Sequence, residues 1–557
     1  MHVRPARVSI EQLLVALVVL LASVALRLPV PVVPGAFHDD AVYLALGRSL
    51  ADGDGYRSIY LPGAPVHTKY PPGLPAVYAV VWMLAGSLHT TVAIITALNV
   101  VLVSTAAAIL WRFARTTLGL SAAIAAPCVV APFLIEASLH LLRLPLSEPF
   151  FLLGWAVGLL AFARLVERPT IAGALATGFV LGATLLFRTQ ALPLLVAALG
   201  AAAFLRLPAR MLGALSAGLF VPISVWHAAR RLTAGMGPAS GQPDEWSYFA
   251  FLPLSDPGVW PAFFVSTWKT IAGYYWIVLP NMLASPRIAG VVALMVAIVA
   301  GVAGAVLAGR KGAFLTTGLA LSALTVLSWP FAQDRMVLVL LPFAGLLVGV
   351  AIQATVRRTV GRWRAALIAA LAATGVLIGV RQRQIRAHVG SWENTQAAVG
   401  FTYAGMALPT LSTLIVTADV WLEEHADTAD VLLFEHGPAP FLTSGRRVVS
   451  FPHSDFVDQL PIFMVPGAYL AASIAEDSVS LIAITAQREP DGRISIADTP
   501  LADELLAVMA RCPNSLELAG VSGRAPSIAF YRVVEGGECL AGLRVPNGGA
   551  RPMGPRR

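Results

Sequence analysis

The chain has 557 residues, of which 57% are hydrophobic and only 13% charged, and its mean hydropathy is +0.73. An average soluble domain is about 25% charged, so an ordinary water-soluble globule is excluded and an α-helical polytopic membrane protein is expected. The net charge of +8 does not signal nucleic acid: Lys and Arg gather at the ends of apolar runs, the pattern that orients membrane helices, and no basic block with interleaved aromatics occurs.

The first apolar run, Ile10–Leu28, follows Arg4 and Arg7. It is long for the core of a signal peptide and ends in Arg-Leu-Pro-Val-Pro rather than in a small-x-small cleavage site, so it reads as a retained first crossing. A span needs about 20 apolar residues. The further candidates are Thr91–Trp111, Leu118–Leu139, Ser147–Arg164, Ile171–Arg188, Ala191–Leu205, Met211–Ala229, Ile288–Ala308, Ala313–Phe331, Met336–Thr355 and Trp363–Val380. The aromatic stretch Phe263–Leu283, which carries Lys269, reads as interfacial. Arg4/Arg7, Arg112/Arg115, Arg164/Arg168, Arg206/Arg210, Arg310/Lys311 and Arg357/Arg358/Arg362/Arg364 then fall on alternate turns and can all lie in the cytoplasm at once. This threading gives about eleven helices, with the N-terminus inside and the C-terminal part outside.

The first outer loop, residues 29–90, concentrates the polar chemistry: Asp39, Asp40, Tyr43, Tyr56, His67, Lys69 and Tyr70, then Pro71-Pro72-Gly73-Leu74-Pro75. Val42, Leu46 and Leu50 recur at helical spacing and Gly53 and Gly55 end the run, which predicts a short amphipathic helix on the membrane surface. The prolines fix the chain direction and hold Lys69 at the mouth of a helix over Leu74–Leu84, where positive potential suits an anion. At a membrane surface that anion is a lipid phosphate, and a carboxylate facing the same cavity could take a proton from a hydroxyl. Bland alternatives exist: Asp39 could cap the helix that follows, and Lys69 could snorkel to headgroups. His38 and His67 with the two aspartates match no compact metal site; no cofactor is required, and a divalent metal stays open.

The tail changes character. Residues 381–411 connect, and residues 412–535 mix charge, Gly and short apolar runs. Asp427–Phe434, Ser480–Thr485 and Ile528–Val534 read as strands, and Trp421–His425 and Leu501–Arg511 as helices, which predicts a small α/β domain. Residues 536–557, rich in Gly, Pro and Arg, read as disordered. Cys128 lies in an apolar run; Cys512 and Cys539 could pair if the tail faces an oxidising space, or stay as free thiols.

His38-Asp39-Asp40-Ala-Val-Tyr43, then Leu-Ala-Asp-Gly-Asp-Gly-Tyr56, then Lys69-Tyr-Pro-Pro-Gly-Leu-Pro75 resembles the first periplasmic loop of GT-C fold glycosyltransferases, among them the protein mannosyltransferase and lipid A aminoarabinose transferase relatives. The resemblance implies a GT-C-like transmembrane domain over residues 1–380, a polyprenyl-phosphate sugar as donor, and transfer with inversion outside the cytoplasmic membrane. It implies that Asp39 is the catalytic base and that Lys69 holds the donor phosphate. Asp40 stands where a Glu is more usual. Leu144-Pro-Leu-Ser-Glu148-Pro resembles a family helix whose acid faces the cavity, and Leu186-Phe-Arg188-Thr-Gln a turn that meets an anion. Trp329-Pro-Phe-Ala-Gln-Asp-Arg335 resembles the late loop that offers an arginine to the lipid phosphate. Tyr43, Tyr56, His67, Tyr70 and Glu148 are then candidate substrate-binding residues, and the acceptor would be a glycan, a glycolipid or a protein hydroxyl. A flippase or transporter of a lipid-linked saccharide is the rival. Transporters place polar groups at the midplane and show two similar halves, whereas here the ionisable residues gather at one edge.

Overall fold

The computed structural model describes residues 9–25, 38–135, 144–233, 257–283, 287–329, 334–358, 402–403, 406–435, 437–451, 467–488, 494–496, 499–522, 527–534 and 539–540. The apolar N-terminal part is a bundle of helices: α1 (Ile10–Ala25), α2 (Asp39–Ala51), α3 (Gly73–Ala85), α4 (Leu88–Thr116), α5 (Ala122–Leu134), α6 (Glu148–Glu167), α7 (Ile171–Leu185), α8 (Leu192–Phe204), α9 (Ala209–Thr233), α10 (Trp260–Leu283), α11 (Arg287–Ala308), α12 (Ala313–Ser328), α13 (Asp334–Leu338) and α14 (Leu341–Arg358). Leu88–Thr116, Glu148–Glu167, Ala209–Ala228 and Gly290–Ser328 are long and apolar enough to cross a membrane. Several others are shorter apolar helices, among them Ile10–Leu21, Ala122–Leu134 and Ile171–Leu185, so a count of eleven crossings is not read off these lengths. The predicted crossing Trp363–Val380, the connecting segment up to residue 401 and nearly all of the Gly/Pro/Arg-rich end lie outside the described residues.

Local chemistry sets the helix ends. Gly86 closes α3 in the left-handed region, at φ 68°, and Ser87 caps α4 by accepting the Thr90 N–H at 3.3 Å. Thr170 caps α7 in the same way through the Gly173 N–H, at 3.0 Å. Between α7 and α9 the packing is backbone to backbone. Gly178 and Gly182 lie against the Leu215 and Leu219 carbonyls, leaving no room for a Cβ. Small residues at four-residue spacing allow this approach where water gives no hydrophobic push between helices.

The Phe263–Leu283 stretch forms most of the 24-residue helix α10; its Ile271 and Tyr275 enter the main apolar core, while Val265, Trp268 and Trp276 stay exposed. One sequence-based expectation changes here. Helix α2 is not a surface amphipath: every residue from Asp40 to Gly47 is buried. Helix α3 covers one side, with Tyr78 pressed against Gly47, and the tail covers the other. The i, i+4 stripe in the sequence marks one apolar face; Asp40, Tyr43, Leu44 and the small residues between them are covered too.

The tail begins with a two-stranded ribbon, β1 (Thr402–Tyr403) and β2 (Met406–Ala407), and helix α15 (Leu408–His425). It continues with β3 (Leu432–Phe434), α16 (Ala439–Ser444), β4 (Val448–Ser450), α17 (Ala468–Glu476), β5 (Leu481–Arg488), β6 (Ile494–Ile496), α18 (Pro500–Arg511), β7 (Leu516–Ser522) and β8 (Ser527–Val533). The mixed sheet runs β4-β3-β5-β8-β7, with β6 on β5. Strands β4, β3 and β5 pair in parallel, and β5, β8 and β7 antiparallel. Alternate residues serve two faces. Leu433, Ile482 and Ile484 pack with α17 and α18. Leu432, Phe434 and Phe530 face α15, where Trp421 stacks on Phe530 at 3.8 Å between centroids. That second cluster also contains Val42, Leu44 and Leu46 of α2. The Val448 N–H donates to the Tyr60 carbonyl at 2.7 Å. The sheet is thus joined to the first loop by a shared apolar core and a backbone hydrogen bond. Cys512 and Cys539 are joined in a disulfide.

Candidate active site

Helix α2 opens in an unusual way. His38, the residue before it, has φ 61° and ψ −66°, a region that costs a non-glycine residue of order 1–3 kcal/mol. Asp39 is the first helical residue, and the His38 side chain at the cap position makes no capping hydrogen bond. The capping role for Asp39 is therefore not realised. Its carboxylate instead turns to two partners: the Tyr70 hydroxyl donates to Oδ1 at 2.6 Å, and the Arg335 guanidinium contacts Oδ2.

Arg335, on the short helix α13, comes from 296 residues away in sequence. Its Nε also lies 3.7 Å from Glu148 Oε1, the same oxygen that accepts from Arg188 Nη1 at 2.7 Å. Glu148 opens α6 and so bridges two arginines. Arg188 further donates to Ser147 Oγ at 3.0 Å and to Gln190 Oε1 at 2.7 Å, and Gln190 Nε2 donates to the Met336 carbonyl at 3.1 Å. Four chain segments thereby converge: the start of α2, the start of α6, the turn after α7 and α13. Two hydrogen bonds to backbone carbonyls hold them in place. The Gly73 N–H donates to the Leu186 carbonyl at 2.8 Å, seating the Pro-Pro-Gly turn on the Arg188 turn. Asn99 of α4 donates to the Leu144 carbonyl at 2.9 Å, just before Glu148.

The side chains of Asp39 and Arg335 are 14% and 9% exposed, so their charges meet in a poorly hydrated place. Burial by itself would raise the Asp39 carboxyl. Arg335, His38, the Tyr70 hydroxyl and Lys69 together outweigh it, Arg335 most of all, and the carboxyl is held well below the usual carboxylate range. Lys69 is half-buried, with Nζ 5.3 Å from the centroid of the Tyr70 ring. The ring whose hydroxyl serves Asp39 thus also carries the lysine ammonium. Tyr43 sits one turn after Asp39, with its ring 4.9 Å from that of Tyr70. Burial, then the charge of Asp39, pushes its phenol above the ordinary tyrosine value.

The remaining candidates have other surroundings. Asp40 is fully buried, and its charge acts on Tyr78; it has no surface to offer a substrate. His67 is buried, not solvated. It accepts the Tyr70 N–H at Nε2, at 2.9 Å, which leaves Nδ1 to donate to Ser58 Oγ at 3.0 Å. The Tyr56 hydroxyl lies 3.0 and 3.2 Å from the carbonyls of Tyr70 and Pro71. These two residues shape the turn that presents Lys69 and Tyr70. Sequence reasoning misses Ser147, Gln190 and the His38 backbone as parts of the site, although each lies within two residues of a candidate. Among the described residues, no group of three or more His, Cys, Asp and Glu side chains could hold a metal ion.

No protein-family model matches the chain, and no curated protein is similar to it in sequence. Solved structures are similar in fold. The oligosaccharyltransferase of Archaeoglobus fulgidus, tethered with an acceptor peptide, superposes with a TM-score of 0.50 at 10% identity, over 88% of this chain and 74% of that one. Its apo form gives 0.50 at 11% identity, over 92% and 80%. The chain has the GT-C fold. ArnT from Cupriavidus metallidurans in the apo state is also similar, with a TM-score of 0.46 at 15% identity, over 96% of this chain and 98% of that one. At these identities the likeness is one of fold. What this GT-C chain does is read from its own Asp39, Tyr70, Lys69, Arg335, Glu148 and Arg188.

Proposed function

We propose that the protein is an inverting glycosyltransferase that moves a sugar from a polyprenyl-phosphate carrier to an acceptor hydroxyl. One observation carries the reading: on a GT-C fold, the Asp39 carboxylate lies in one cluster with Arg335, Arg188 and Lys69. Asp39 takes the proton of the acceptor hydroxyl, whose oxygen attacks the anomeric carbon from the face opposite the phosphate. The cations stabilise the charge that grows on the departing phosphate, and they act strongly because the site excludes water. Of the candidates, Asp39 is the base and Lys69, Arg335 and Arg188 the phosphate clamp. Tyr43 and Tyr70 line the site, Glu148 aligns the arginines, and Asp40, Tyr56 and His67 shape the loop.

The oligosaccharyltransferase neighbour supports glycosyl transfer as the class of reaction, since it was crystallised with an acceptor peptide. The pattern of Arg and Lys at the helix ends supports a multi-pass protein of the cytoplasmic membrane, with this site and the tail on the outer side. The Cys512–Cys539 disulfide suits that oxidising side. The partners are then the lipid-linked sugar, membrane lipids and an envelope glycan, glycolipid or protein acceptor.

A cleft of 410 Å³ on the seam between first loop and sheet supports a part for the tail in choosing the acceptor. Arg48, Asp54, Arg57, Phe441 and Arg447 line it. Deleting the tail would uncover α2, so Arg447→Glu is the better probe; an altered acceptor preference with unchanged donor use is the expected result.

Mass spectrometry of envelope glycans tests the main proposal. A deletion strain should lose one glycan species, regained with wild type and not with Asp39→Asn. Restoration by Asp39→Asn would favour a flippase that performs no chemistry.

A further inference from the structure

We infer that Arg335 exchanges partners during the reaction: a polyprenyl phosphate draws its guanidinium off Asp39, and only then is the carboxylate free to take the acceptor's proton. The inference rests on the proposed roles of Asp39 and the arginines, and it adds an order of events, donor before acceptor.

Both oxygens of Asp39 are engaged by the protein itself, Oδ1 by Tyr70 and Oδ2 by Arg335. A carboxylate paired with a guanidinium in a dry site is a poor base, because its negative charge is already compensated. Arg335 has a second anchor in Glu148. A guanidinium presents several N–H edges, so it can turn about Glu148 and exchange Asp39 for a phosphate oxygen without losing its hold on the protein. Glu148 is itself fixed by Arg188, at 2.7 Å. Asp39 and Glu148 against Arg188 and Arg335 make a charge-balanced set. Lys69 and His38 lie outside that set and also act on Asp39, and the Lys69 ammonium is the first partner for an arriving phosphate.

The chemistry follows the same path. The acceptor O–H bond breaks and its proton goes to Asp39. The acceptor oxygen forms a bond to the anomeric carbon. The bond from that carbon to the phosphate oxygen breaks, and its electron pair leaves with the phosphate. The negative charge that began on Asp39 therefore ends on the phosphate. An arginine able to reach both follows the charge and need not be abandoned by it. When the polyprenyl phosphate departs and Asp39 releases its proton, Arg335 returns to the carboxylate.

The test is the affinity of a polyprenyl phosphate for the full-length protein in lipid nanodiscs, measured by titration. Phosphate and Asp39 compete for Arg335, so Asp39→Asn should bind the lipid several-fold more tightly than wild type. Arg335→Gln should bind it more weakly. Adding Asp39→Asn to Arg335→Gln should gain little, since only direct repulsion by the carboxylate is relieved there. Asp39→Glu, which keeps the charge, should not tighten binding; this separates the effect from a general loosening of the site. Equal tightening by Asp39→Asn in both backgrounds, or none in either, would overturn the exchange. Wild-type affinity in Arg335→Gln would overturn the phosphate clamp itself.

Discussion

The Tyr70 hydroxyl donates to Asp39 at 2.6 Å while its ring stacks on His67 at 5.4 Å and carries the Lys69 ammonium on its face. One tyrosine thus ties the carboxylate to the Pro-Pro-Gly turn. Tyr70→Phe keeps the ring and removes the hydrogen bond. A hydrogen bond to a charged group contributes about 1.5–3 kcal/mol. The variant should fold and lose activity by roughly one order of magnitude, measured as initial rates of donor consumption.

The lowered Asp39 pKa has a definite sign. The folded value lies below the unfolded one, near 4. Its contribution to stability is fully present above the unfolded value and is lost as pH falls through the folded value. Asp39 therefore stays ionised through the whole neutral and mildly acidic range. Arg335→Gln removes the main charge holding the carboxyl down, and burial then raises it. Profiles of kcat/KM against pH should show an acidic limb in that variant at higher pH than in wild type.

Glu148 is 1% exposed and holds two arginines. Glu148→Gln leaves Arg188 without its countercharge and Arg335 with Asp39 alone. Breaking a buried pair by removing one partner costs about 3–5 kcal/mol. Thermal unfolding in detergent should show a clear drop in midpoint. Glu148→Asp, which keeps the charge, should recover part of it.

A second carboxyl titrates differently. Asp419, on α15, is pushed up to about 7 by burial, against a hydrogen bond with Thr443. The folded state then holds a proton that the unfolded state releases, so this group's contribution falls as pH rises from about 4 to about 7. The midpoint of thermal unfolding should be higher at mildly acidic than at mildly alkaline pH. Asp419→Asn should remove most of that difference.

Gly178 and Gly182 carry the contact of α7 with α9. Gly182→Ala would drive a methyl group into the Leu219 carbonyl, an overpacking that costs about 1–3 kcal/mol. The unfolding midpoint should fall, while activity per folded molecule stays close to wild type, because neither helix supplies an acid, base or phosphate-binding residue.

Much of this was legible in the sequence, for identifiable reasons. Spans such as Thr91–Trp111 and Ser147–Arg164 announce themselves by apolar length, and strands such as Leu481–Arg488 by runs of β-branched residues between polar ones. Asp39, Lys69 and Arg335 stand out because charges are costly in such a composition. Pairing was not legible. Nothing local relates Arg335 to Asp39 across 296 residues, or makes Glu148 a bridge between two arginines. The burial of α2 was hidden too, since it depends on the sheet of the tail folding over a helix some 380 residues earlier. The roles of His67 and Tyr56 in shaping a turn follow from backbone partners that no residue spacing reveals.

The most direct measurement is turnover of a radiolabelled polyprenyl-phosphate sugar by purified protein, supplied with membrane extract as the source of acceptor. Wild type should release polyprenyl phosphate and move label into a new glycoconjugate, while Asp39→Asn, folded and still able to bind the lipid phosphate, should do neither at more than a trace rate. Label transfer by Asp39→Asn at the wild-type rate would contradict the assignment of Asp39 as the base, and with it the reading of this cluster as a catalytic centre.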